Sequence, residues 1–526
     1  MGKSTQRVCT LSPPRGNANL GWPGGIDNGL YYTRLYAISK TGKVMEKNKL
    51  NKSAKKVASA SNNLKYQIIT FGCQMNYSDS ERVAAVLQKA GYKGTNEIAE
   101  ADLVILNTCS IRQKGEDRVF GLLKNIAARK QYRPHLLIGL TGCMVRRSSS
   151  RNSDWAERDD LMKTLKTLDF VFNIRETHQL PQLLAEAEPQ LQLPELAETV
   201  LSDYLKIQPQ YTSSFQAFVP IQIGCDKYCT YCIVPYSRGR EQSRPLPDIL
   251  TECRQLVENG CREITLVGQT VNSYGLSDLD KKSGLFDYYH LVKAGARPEL
   301  PFIRLLKAIN GLSELGLSRL RYSSPHPRDF SDELIAAHAT LKTLCPHIHL
   351  PIQAGDNQVL ARMNRKYTVE EYATMIGKFR TAVPGAAVTT DVIVGFCGET
   401  AGQFENTLKA FREIRWDQAY IARYSQRNGT VASKCFPDDV AAAEKSRRWH
   451  RVNNLLKVIS LEKNREYLGR TLEVLVERHD PTTGECEGRS RENKVVQFHG
   501  EAEQIGQLVQ VEINEALEWV LKGKVV

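Results

Sequence analysis

The sequence predicts an α/β protein with three folded parts, and two observations carry that prediction. Short β-rich runs alternate with amphipathic helical stretches from about residue 66 to residue 425, which is typical of parallel sheets whose strands are joined by helices. From about residue 470 onward, short alternating strands separated by glycine-containing turns replace that pattern. We therefore expect an N-terminal parallel α/β domain, a central open six-stranded (β/α) partial barrel and a small C-terminal β-barrel.

The chain is long enough for several hydrophobic cores, and its cysteine content indicates a reducing compartment. Its 526 residues predict roughly three domains. It has no run of about 18 apolar residues, so we expect neither a transmembrane helix nor a membrane partner. Thirteen cysteines, an odd number, in a chain without a secretory apolar segment favour a cytoplasmic protein that uses its thiols for metal or buries them.

The N-terminal 65 residues hold most of the positive charge. They contain 12 Lys and Arg against two acidic residues, which is +10 of the net +13. Because residues 1–63 are rich in Gly, Asn, Ser and Lys and lack periodicity, we expect a disordered basic leader. Three interpretations stay open: a nucleic-acid contact, a transit peptide that would make the location mitochondrial, or an inert tail with translation starting at Met45.

Residues 64–181 are predicted to form the N-terminal domain, and each of its three buried strands ends at a cysteine. The strands are YQIITFG (66–72), ADLVILNT (101–108) and LLIGLTG (136–142), and the cysteines are Cys73, Cys109 and Cys143. Ligands of parallel sheets bind beyond the carboxyl ends of the strands, so we expect the three thiols to meet there. They predict an iron–sulfur site one ligand short of four, unless they are buried structural cysteines.

Helices are predicted between these strands. Ser78 and Glu81 match a capping box, which predicts a helix within SDSERVAAVLQKAG. A second helical pattern runs from about residue 117 to residue 129. Residues 182–210 are expected to be a linker to the central domain.

A second group of cysteines, Cys225, Cys229 and Cys232, lies in the run GCDKYCTYC with the spacing C-x-x-x-C-x-x-C. Three thiolates leave one iron of a four-iron cluster open to a small molecule. An open metal position marks a catalytic site, as it does for zinc. The alternatives are a zinc knuckle and three unrelated thiols, although the nearest histidines, His178 and His290, are far along the chain.

Residues 211–443 are predicted to form the central barrel from six βα units. The strand sequences are FVPIQIG, EITLVGQ, RLRYSS, HIHLPI, AVTTDVIVGF and DQAYIARYS. Six units fall short of the eight of a closed barrel, so the mouth would admit a macromolecular substrate. Polar residues follow the strand ends, where barrel enzymes bind ligands, although any one of them could instead cap a helix. The candidates for cofactor and substrate binding are Gln269, Asn272, Tyr274, Ser323, Ser324, His326, Gln353 and Glu399.

Residues 449–526 are predicted to form the C-terminal domain, in which a helical stretch precedes short strands such as TLEVLVER and KVVQFHG. Several of its basic side chains are candidates for a surface that faces nucleic acid. These are Arg489, Arg491, Lys494, Lys522 and Lys524. Because Glu485, Glu487 and Glu492 lie among them, a solvated face of mixed charge is the alternative.

Together these motifs resemble the methylthiotransferase family of radical S-adenosylmethionine (SAM) enzymes over residues 64–526. The shared motifs are TFGCQMNYSDSE, NTCSIR and TGCM in the N-terminal domain, and IGCDKYCTYCIVPYSRGRE, VGQTVNSYG, RYSSPHP, HIHLPIQAG and TDVIVGFCGET in the barrel. The C-terminal barrel resembles a TRAM domain, an RNA-binding module. The resemblance implies two 4Fe–4S clusters, one that cleaves SAM and one auxiliary. Their ligands would be Cys225, Cys229 and Cys232 for the first, and Cys73, Cys109 and Cys143 for the second.

The residues around the first cysteine, GCQMN, resemble the branch of this family that modifies tRNA. That branch adds a methylthio group to C2 of N6-isopentenyladenosine at tRNA position 37, using SAM both as radical source and as methyl donor. Other branches, which act on a ribosomal protein side chain or on threonylcarbamoyladenosine in tRNA, are alternatives, as is a non-catalytic RNA-binding iron–sulfur protein. We expect a monomer that takes tRNA as substrate and electrons from a flavodoxin or ferredoxin. SAM would lie at the strand-end residues, chiefly Gln269, Asn272, Ser324, Gln353 and Glu399.

Overall fold

The computed structural model of the protein describes residues 64–109, 113–145, 165–189, 204–276 and 299–526. Residues 62–526 form one compact unit. The leader, for which we expected disorder, and a part of the expected linker lie outside the described residues. In the described ranges, no helix is both long enough and apolar enough to cross a membrane.

The N-terminal domain is built on a five-stranded sheet whose strands are all parallel. In spatial order the strands are Lys93–Gly94, Lys65–Phe71, Leu103–Thr108, Leu137–Gly142 and Phe170–Val171. The third and fourth of these are buried along their whole length, as apolar runs in parallel sheets usually are. The predicted parallel α/β domain is thus confirmed, and the three predicted strands lie side by side.

The first helix of this domain, Gln74–Lys89, begins before the predicted capping box. Its N-cap residue is Cys73, whereas Ser78 and Glu81 lie inside the helix and are buried. Ser78 Oγ donates to Phe218 O of the central barrel at 3.1 Å. The capping-box prediction is wrong because these polar residues make contacts beyond their own helix, which the local sequence does not reveal.

The other described helices of the domain are Gln113–Lys130 and Leu180–Ala187. The expected linker, residues 182–210, therefore begins inside a helix. Its last part packs as well, since Tyr204 is buried and its hydroxyl donates to the carboxylate of Asp79. The described parts of this segment belong structurally to the N-terminal domain.

The central domain contains six parallel strands, as predicted. They are Gln216–Pro220, Glu263–Val267, Arg319–Tyr322, His347–His349, Ala387–Val394 and Gln418–Arg423. The first three form one sheet and the last three another, and all pairings within each are parallel. An isolated parallel bridge from Leu320 to Leu344 connects the two sheets. A short antiparallel pair, Gln222–Ile223 with Gln242–Ser243, flanks the second cysteine group.

Helices join these strands and bury their apolar sides in one continuous core. They are Val234–Ser237, Leu246–Glu258, Pro301–Asn310, Asp332–Thr340, Asn357–Arg362, Val369–Ala382, Ala401–Ile414, Val431–Cys435 and Ala442–Arg465. The last of them packs on the strand Gln418–Arg423 and adds Val452, Leu456 and Ile459 to the core. The domain boundary that we predicted at residue 449 falls inside this helix, which belongs to the central domain.

The C-terminal domain is a closed five-stranded barrel, as predicted. Its strands are Thr471–Asp480, Glu485–Ser490, Val495–His499, Leu508–Ala516 and Leu521–Val525. The first strand pairs with both the second and the fourth, which closes the barrel and removes free sheet edges. Val474, Val496 and Val511 are fully buried inside it.

This barrel is attached to the amino ends of the central strands through buried charges. Arg319, the first residue of its strand, is fully buried and donates to Arg489 O at 2.7 Å and to Glu473 O at 2.8 Å. Lys494 Nζ donates to Asp417 Oδ1 at 2.8 Å. The barrel therefore lies at the opposite end of the central strands from their carboxyl ends.

Three of the basic candidates for a surface that faces nucleic acid lie in this junction. Lys494 is buried, and Arg491 donates to Ser318 O at 3.1 Å. Arg489 is largely buried and lies 3.4 Å from a carboxylate oxygen of Glu477. Neither of the two alternatives, a surface that faces nucleic acid or a solvated face of mixed charge, describes Arg489, Arg491 and Lys494, because packing between domains covers a face that strand alternation alone leaves open. Of the two remaining candidates, Lys524 is exposed and Lys522 is half-buried.

Candidate active site

The three N-terminal cysteines follow three adjacent strands of the same sheet. Phe71 pairs with Thr108, and Thr108 pairs with Gly142, so the strands end in register. Cys109 and Cys143 come directly after their strands, and Cys73 comes after one intervening glycine. Cys109 and Cys143 are buried, while Cys73 is exposed. The structure thus brings these cysteines to one edge of the sheet, where the sequence had placed them.

Two asparagines and a glycine shape this edge. Asn76 Oδ1 accepts from Cys73 N at 3.2 Å, and Asn76 Nδ2 donates to Asn107 Oδ1 at 3.0 Å. Gly142 has φ +96°, and a Cβ there would lie 2.3 Å from Thr108 O. Only glycine allows Cys143 N to approach Thr108 O at 2.7 Å. The asparagines lie in the motifs GCQMN and NTCSIR, but the motifs alone do not indicate these contacts.

The second cysteine group lies on a loop held by strand-end residues of the barrel. Gly224 has φ +88°, and a Cβ there would lie 2.1 Å from Arg240 O. Its backbone N–H donates to Gln269 Oε1 at 2.6 Å. The Cys225 thiol lies 3.1 Å from Thr270 Oγ1. These contacts position Cys225 at the start of the loop.

Residues with left-handed backbone are found in the loops of this region. They include Tyr228 inside the cysteine loop, Ser324 and Gln353 after their strands, and Asn364, with φ between +49° and +75°. Asn364 Nδ2 donates to Tyr228 O at 3.0 Å and so stabilises the loop conformation. Non-glycine residues adopt this backbone at a cost, and such strain concentrates at functional sites.

Thiols of the two cysteine groups influence each other's surroundings electrostatically, as Cys232 illustrates. Burial raises the pKa of the Cys232 thiol well above its usual range, and the neighbouring thiols of Cys229, Cys225 and Cys143 raise it further. Cys143 belongs to the N-terminal sheet and Cys232 to the barrel loop. Arg238, which follows that loop in the chain, donates from Nε to Cys143 Sγ at 3.4 Å, so the two groups lie close together.

Each of the two cysteine groups offers three thiols, one fewer than the four that a complete 4Fe–4S cluster takes from protein. Within the described ranges, no group of three or more Cys, His, Asp or Glu side chains is arranged to hold a single metal ion. In a four-iron cluster each thiolate binds a different iron, so the sulfur atoms need not meet at one point. Burial raises the pKa of the Cys225 thiol to about 12, so any metal centre that it binds would have to displace its proton.

Three of the five residues proposed to bind SAM support loops in this structure. Gln269 holds Gly224, as described above. Asn272 Nδ2 donates to His326 O at 2.9 Å, and Asn272 Oδ1 accepts from His326 N at 2.8 Å. Glu399 accepts from Gly395 N at 2.6 Å and from Arg448 Nη1 at 2.7 Å.

The other two proposed SAM-binding residues, Ser324 and Gln353, are marked by their left-handed backbone. The three remaining strand-end candidates have structural contacts, and the backbone N–H of Ser323 donates to Leu266 O at 3.0 Å. Tyr274 donates its hydroxyl to Arg244 O at 2.7 Å, and His326 is buried with its Nδ1 accepting from Arg328 N.

Sequence reasoning missed two buried arginines that contact the candidate ligands. Arg238 Nε donates to Cys143 Sγ at 3.4 Å, and Arg365 Nη1 donates to Cys229 Sγ at 3.4 Å. Both side chains are more than nine-tenths buried. An arginine in a loop is normally solvated, so the only available signal was the position of Arg238 in the motif YSRGRE that follows the cysteines.

Comparison with known proteins adds the following matches. Residues 65–164 match the family described as Uncharacterized protein family UPF0004, residues 219–411 the radical SAM superfamily and residues 465–526 the TRAM domain. A tRNA-2-methylthio-N(6)-dimethylallyladenosine synthase of Thermoanaerobacter sp. (strain X514) is 40% identical over 468 residues, which is 88% of this chain and 93% of that protein.

The proteins of the same name from Anoxybacillus flavithermus (strain DSM 21510 / WK1) and Bacillus subtilis (strain 168) are 40% and 39% identical. Each match covers 88% of this chain, together with 83% and 86% of the respective relative. Among solved structures, the radical SAM methyltransferase TsrM from Kitasatospora setae aligns with 68% of this chain and 72% of its own at a TM-score of 0.47 and 12% identity. That likeness is too weak to bear on function.

Proposed function

Because this chain belongs to the tRNA-2-methylthio-N(6)-dimethylallyladenosine synthase family of radical SAM enzymes, we propose that it methylthiolates C2 of N6-isopentenyladenosine at tRNA position 37. The product would be 2-methylthio-N6-isopentenyladenosine, with SAM as radical source and methyl donor. The observation that carries the proposal is 40% identity over nearly the whole length of a relative with that name. The three matched domains, which end in a TRAM domain, agree with an RNA substrate.

Membership of the radical SAM superfamily implies SAM and a 4Fe–4S cluster. We assign that cluster to Cys225, Cys229 and Cys232, and an auxiliary cluster to Cys73, Cys109 and Cys143. Their placement at strand ends and the contact between Arg238 Nε and Cys143 Sγ, at 3.4 Å, support the assignment. Bound there, the clusters would supply the electron that cleaves SAM and the sulfur that is inserted.

The chain's own residues would place the reacting groups and exclude water. The C2–H bond of adenine is too weakly acidic for a side-chain base, so no general base is required among the residues of the site. Gly224, Gln269 and Thr270 hold the loop of the SAM-cleaving site, and Asn76 and Asn107 hold the edge of the auxiliary site. The target base would enter the space between them.

We further propose a cytoplasmic monomer that receives electrons from a flavodoxin or ferredoxin. The alternative substrates, a ribosomal protein side chain and threonylcarbamoyladenosine, remain outcomes of the test rather than proposals, because the relatives named above carry the isopentenyladenosine-type name.

The test is an anaerobic assay with the reconstituted full-length protein, SAM and a reductant. Purified tRNA with or without the isopentenyl group is the substrate, and nucleosides are analysed by mass spectrometry. We expect 2-methylthio-N6-isopentenyladenosine from the isopentenylated tRNA alone. Equal methylthiolation of both tRNAs would overturn the substrate assignment, and product on a ribosomal protein alone would move the chain to the protein-modifying branch.

A further inference from the structure

Arg365 is a buried cation whose described partners are uncharged apart from a candidate cluster ligand. It is 7% exposed. Its Nη2 donates to Pro351 O at 2.8 Å, its Nε to the Tyr367 hydroxyl at 2.7 Å, and its Nη1 to Cys229 Sγ at 3.4 Å. Burying a charge without a counter-charge is costly. The guanidinium of Arg365 is therefore placed to stabilise negative charge on the metal cluster that Cys229 would bind.

Nearby carboxylates do not supply that counter-charge. Within the described ranges, no Asp or Glu forms an ion pair with Arg365. Asp329, which is also buried, is paired with Lys227 of the cysteine loop. The positive charge of Arg365 is thus uncompensated in the protein itself.

Arg238 has the equivalent contact at the other cysteine group but a different charge balance. It donates to Cys143 Sγ at the same distance, 3.4 Å. Both its Nη atoms, however, contact the carboxylate of Asp79, and both side chains are almost completely buried. The Arg238–Asp79 pair therefore brings almost no net charge to Cys143.

We propose that these two arginines separate the reduction potentials of the two clusters, with Arg365 raising the potential of the SAM-cleaving cluster and Asp79 cancelling the same effect of Arg238 at the auxiliary cluster. The proposal rests on the cluster assignment made under the proposed function. A cluster gains one negative charge when it takes up one electron, and an uncompensated cation within hydrogen-bond distance of a ligand thiolate stabilises that state. Electrons from the donor would then favour the cluster that must reduce SAM.

The experiment is an anaerobic redox titration of full-length protein with dithionite as electron source, followed by the electron paramagnetic resonance signal of each reduced cluster. Variants that lack either set of three cysteines assign the two signals. At a fixed potential, Arg365→Gln should lower the ratio of reduced to oxidised SAM-cleaving cluster at least tenfold. For a one-electron couple this corresponds to a reduction potential that is about 59 mV lower. The auxiliary cluster should be unchanged. Arg365→Gln leaves no buried acid without a partner, so we expect it to fold.

Charge-matched variants separate electrostatics from packing. Arg365→Lys keeps the positive charge and should retain most of the native potential. Asp79→Asn uncovers the charge of Arg238 and should shift the auxiliary cluster in the opposite direction, toward easier reduction. If Asp79→Asn does not fold, the double variant Arg238→Gln/Asp79→Asn provides the test, and it should leave the auxiliary potential nearly unchanged because it removes no net charge.

Several results would overturn the proposal. One is an Arg365→Gln variant with the native potential, and another is equal losses in Arg365→Lys and Arg365→Gln. The proposal would also be contradicted if Arg238→Gln/Asp79→Asn shifted the potential of the auxiliary cluster as much as Arg365→Gln shifts the potential of the SAM-cleaving cluster. Failure of the cluster assignment would look different, because the wild-type protein would then bind about four irons instead of about eight.

Discussion

Lys494→Met should loosen the junction between the C-terminal barrel and the central domain. Lys494 Nζ donates to Asp417 Oδ1 at 2.8 Å and to Asn464 Oδ1 at 3.0 Å, and it lies over the ring of Tyr467. The substitution removes the cation but keeps most of the side-chain volume. Asp417 is 7% exposed and would retain only the bond from Val388 N to its other oxygen, at 2.8 Å.

The expected magnitude follows from the charge that is left behind. Removing one partner of a buried ion pair costs about 3–5 kcal/mol, chiefly because the other charge stays buried. The double variant Lys494→Met/Asp417→Asn removes that charge and should cost only about 1–2 kcal/mol, for the hydrogen bonds lost. The double-mutant cycle should therefore show a coupling of roughly 2 kcal/mol or more between the two residues.

Urea unfolding followed by tryptophan fluorescence measures these changes, because Trp519 lines the same small cavity as Asp417, Asn464 and Lys494. Lys524→Met, at an exposed site on the same barrel, is the control and should change stability by less than about 0.5 kcal/mol. A double variant as unstable as Lys494→Met alone would refute the reasoning, since the cost would then not come from an unpaired carboxylate. Deleting residues 449–526 is not a substitute, because it removes Val452 and Leu456 from the core.

Four further predictions concern the clusters and the RNA. Iron and sulfide analysis should give about eight irons per chain, and Cys225→Ala should lose about half of them; about four in the wild type would contradict two clusters. Cys229→Ala should abolish 5′-deoxyadenosine formation, whereas Cys109→Ala should keep it and lose methylthiolation, so normal product from Cys109→Ala would remove the auxiliary role. Gly224→Ala should impair SAM cleavage, because the added Cβ would lie 2.1 Å from the carbonyl oxygen of Arg240, and it should leave the spectrum of the auxiliary cluster unchanged. SAM cleavage at the native rate would show instead that the loop can move to accommodate the Cβ. Lys524→Gln should weaken tRNA binding. If Lys524 contacts one phosphate, the slope of log binding constant against log salt concentration should become shallower by about 0.7–0.9, and an unchanged slope would exclude that contact.

The sequence alone was sufficient for features that depend on local pattern. Apolar runs and their spacing predicted six central strands, a parallel N-terminal sheet and a C-terminal barrel, all of which the structure contains. The positions of Cys73, Cys109 and Cys143 directly after three strands predicted a common sheet edge, because parallel strands end at the same side. The substrate class rested on short motifs that resemble a family, and the relatives support it.

Local sequence pattern does not determine which distant segments of the chain come into contact. Ser78 and Glu81 matched a capping box, yet the helix begins at Gln74, because the two side chains bind the neighbouring domain instead. Lys494 read as a surface charge, yet a partner 77 residues away buries it.

The electrostatics of the two cysteine groups were decided by the tertiary structure. Cysteine spacing and strand ends predict three thiols in each group. They do not indicate that Arg365 contacts Cys229 without pairing with an acid. Nor do they indicate that Arg238, which contacts Cys143, is paired with Asp79. Asp79 and Arg238 are 159 residues apart, so no periodicity or motif links them. The sequence determined which residues carry the chemistry, since strand ends and cysteine spacing are local properties. Only the tertiary structure decided their charge environment, because an ion pair depends on which segments meet in space.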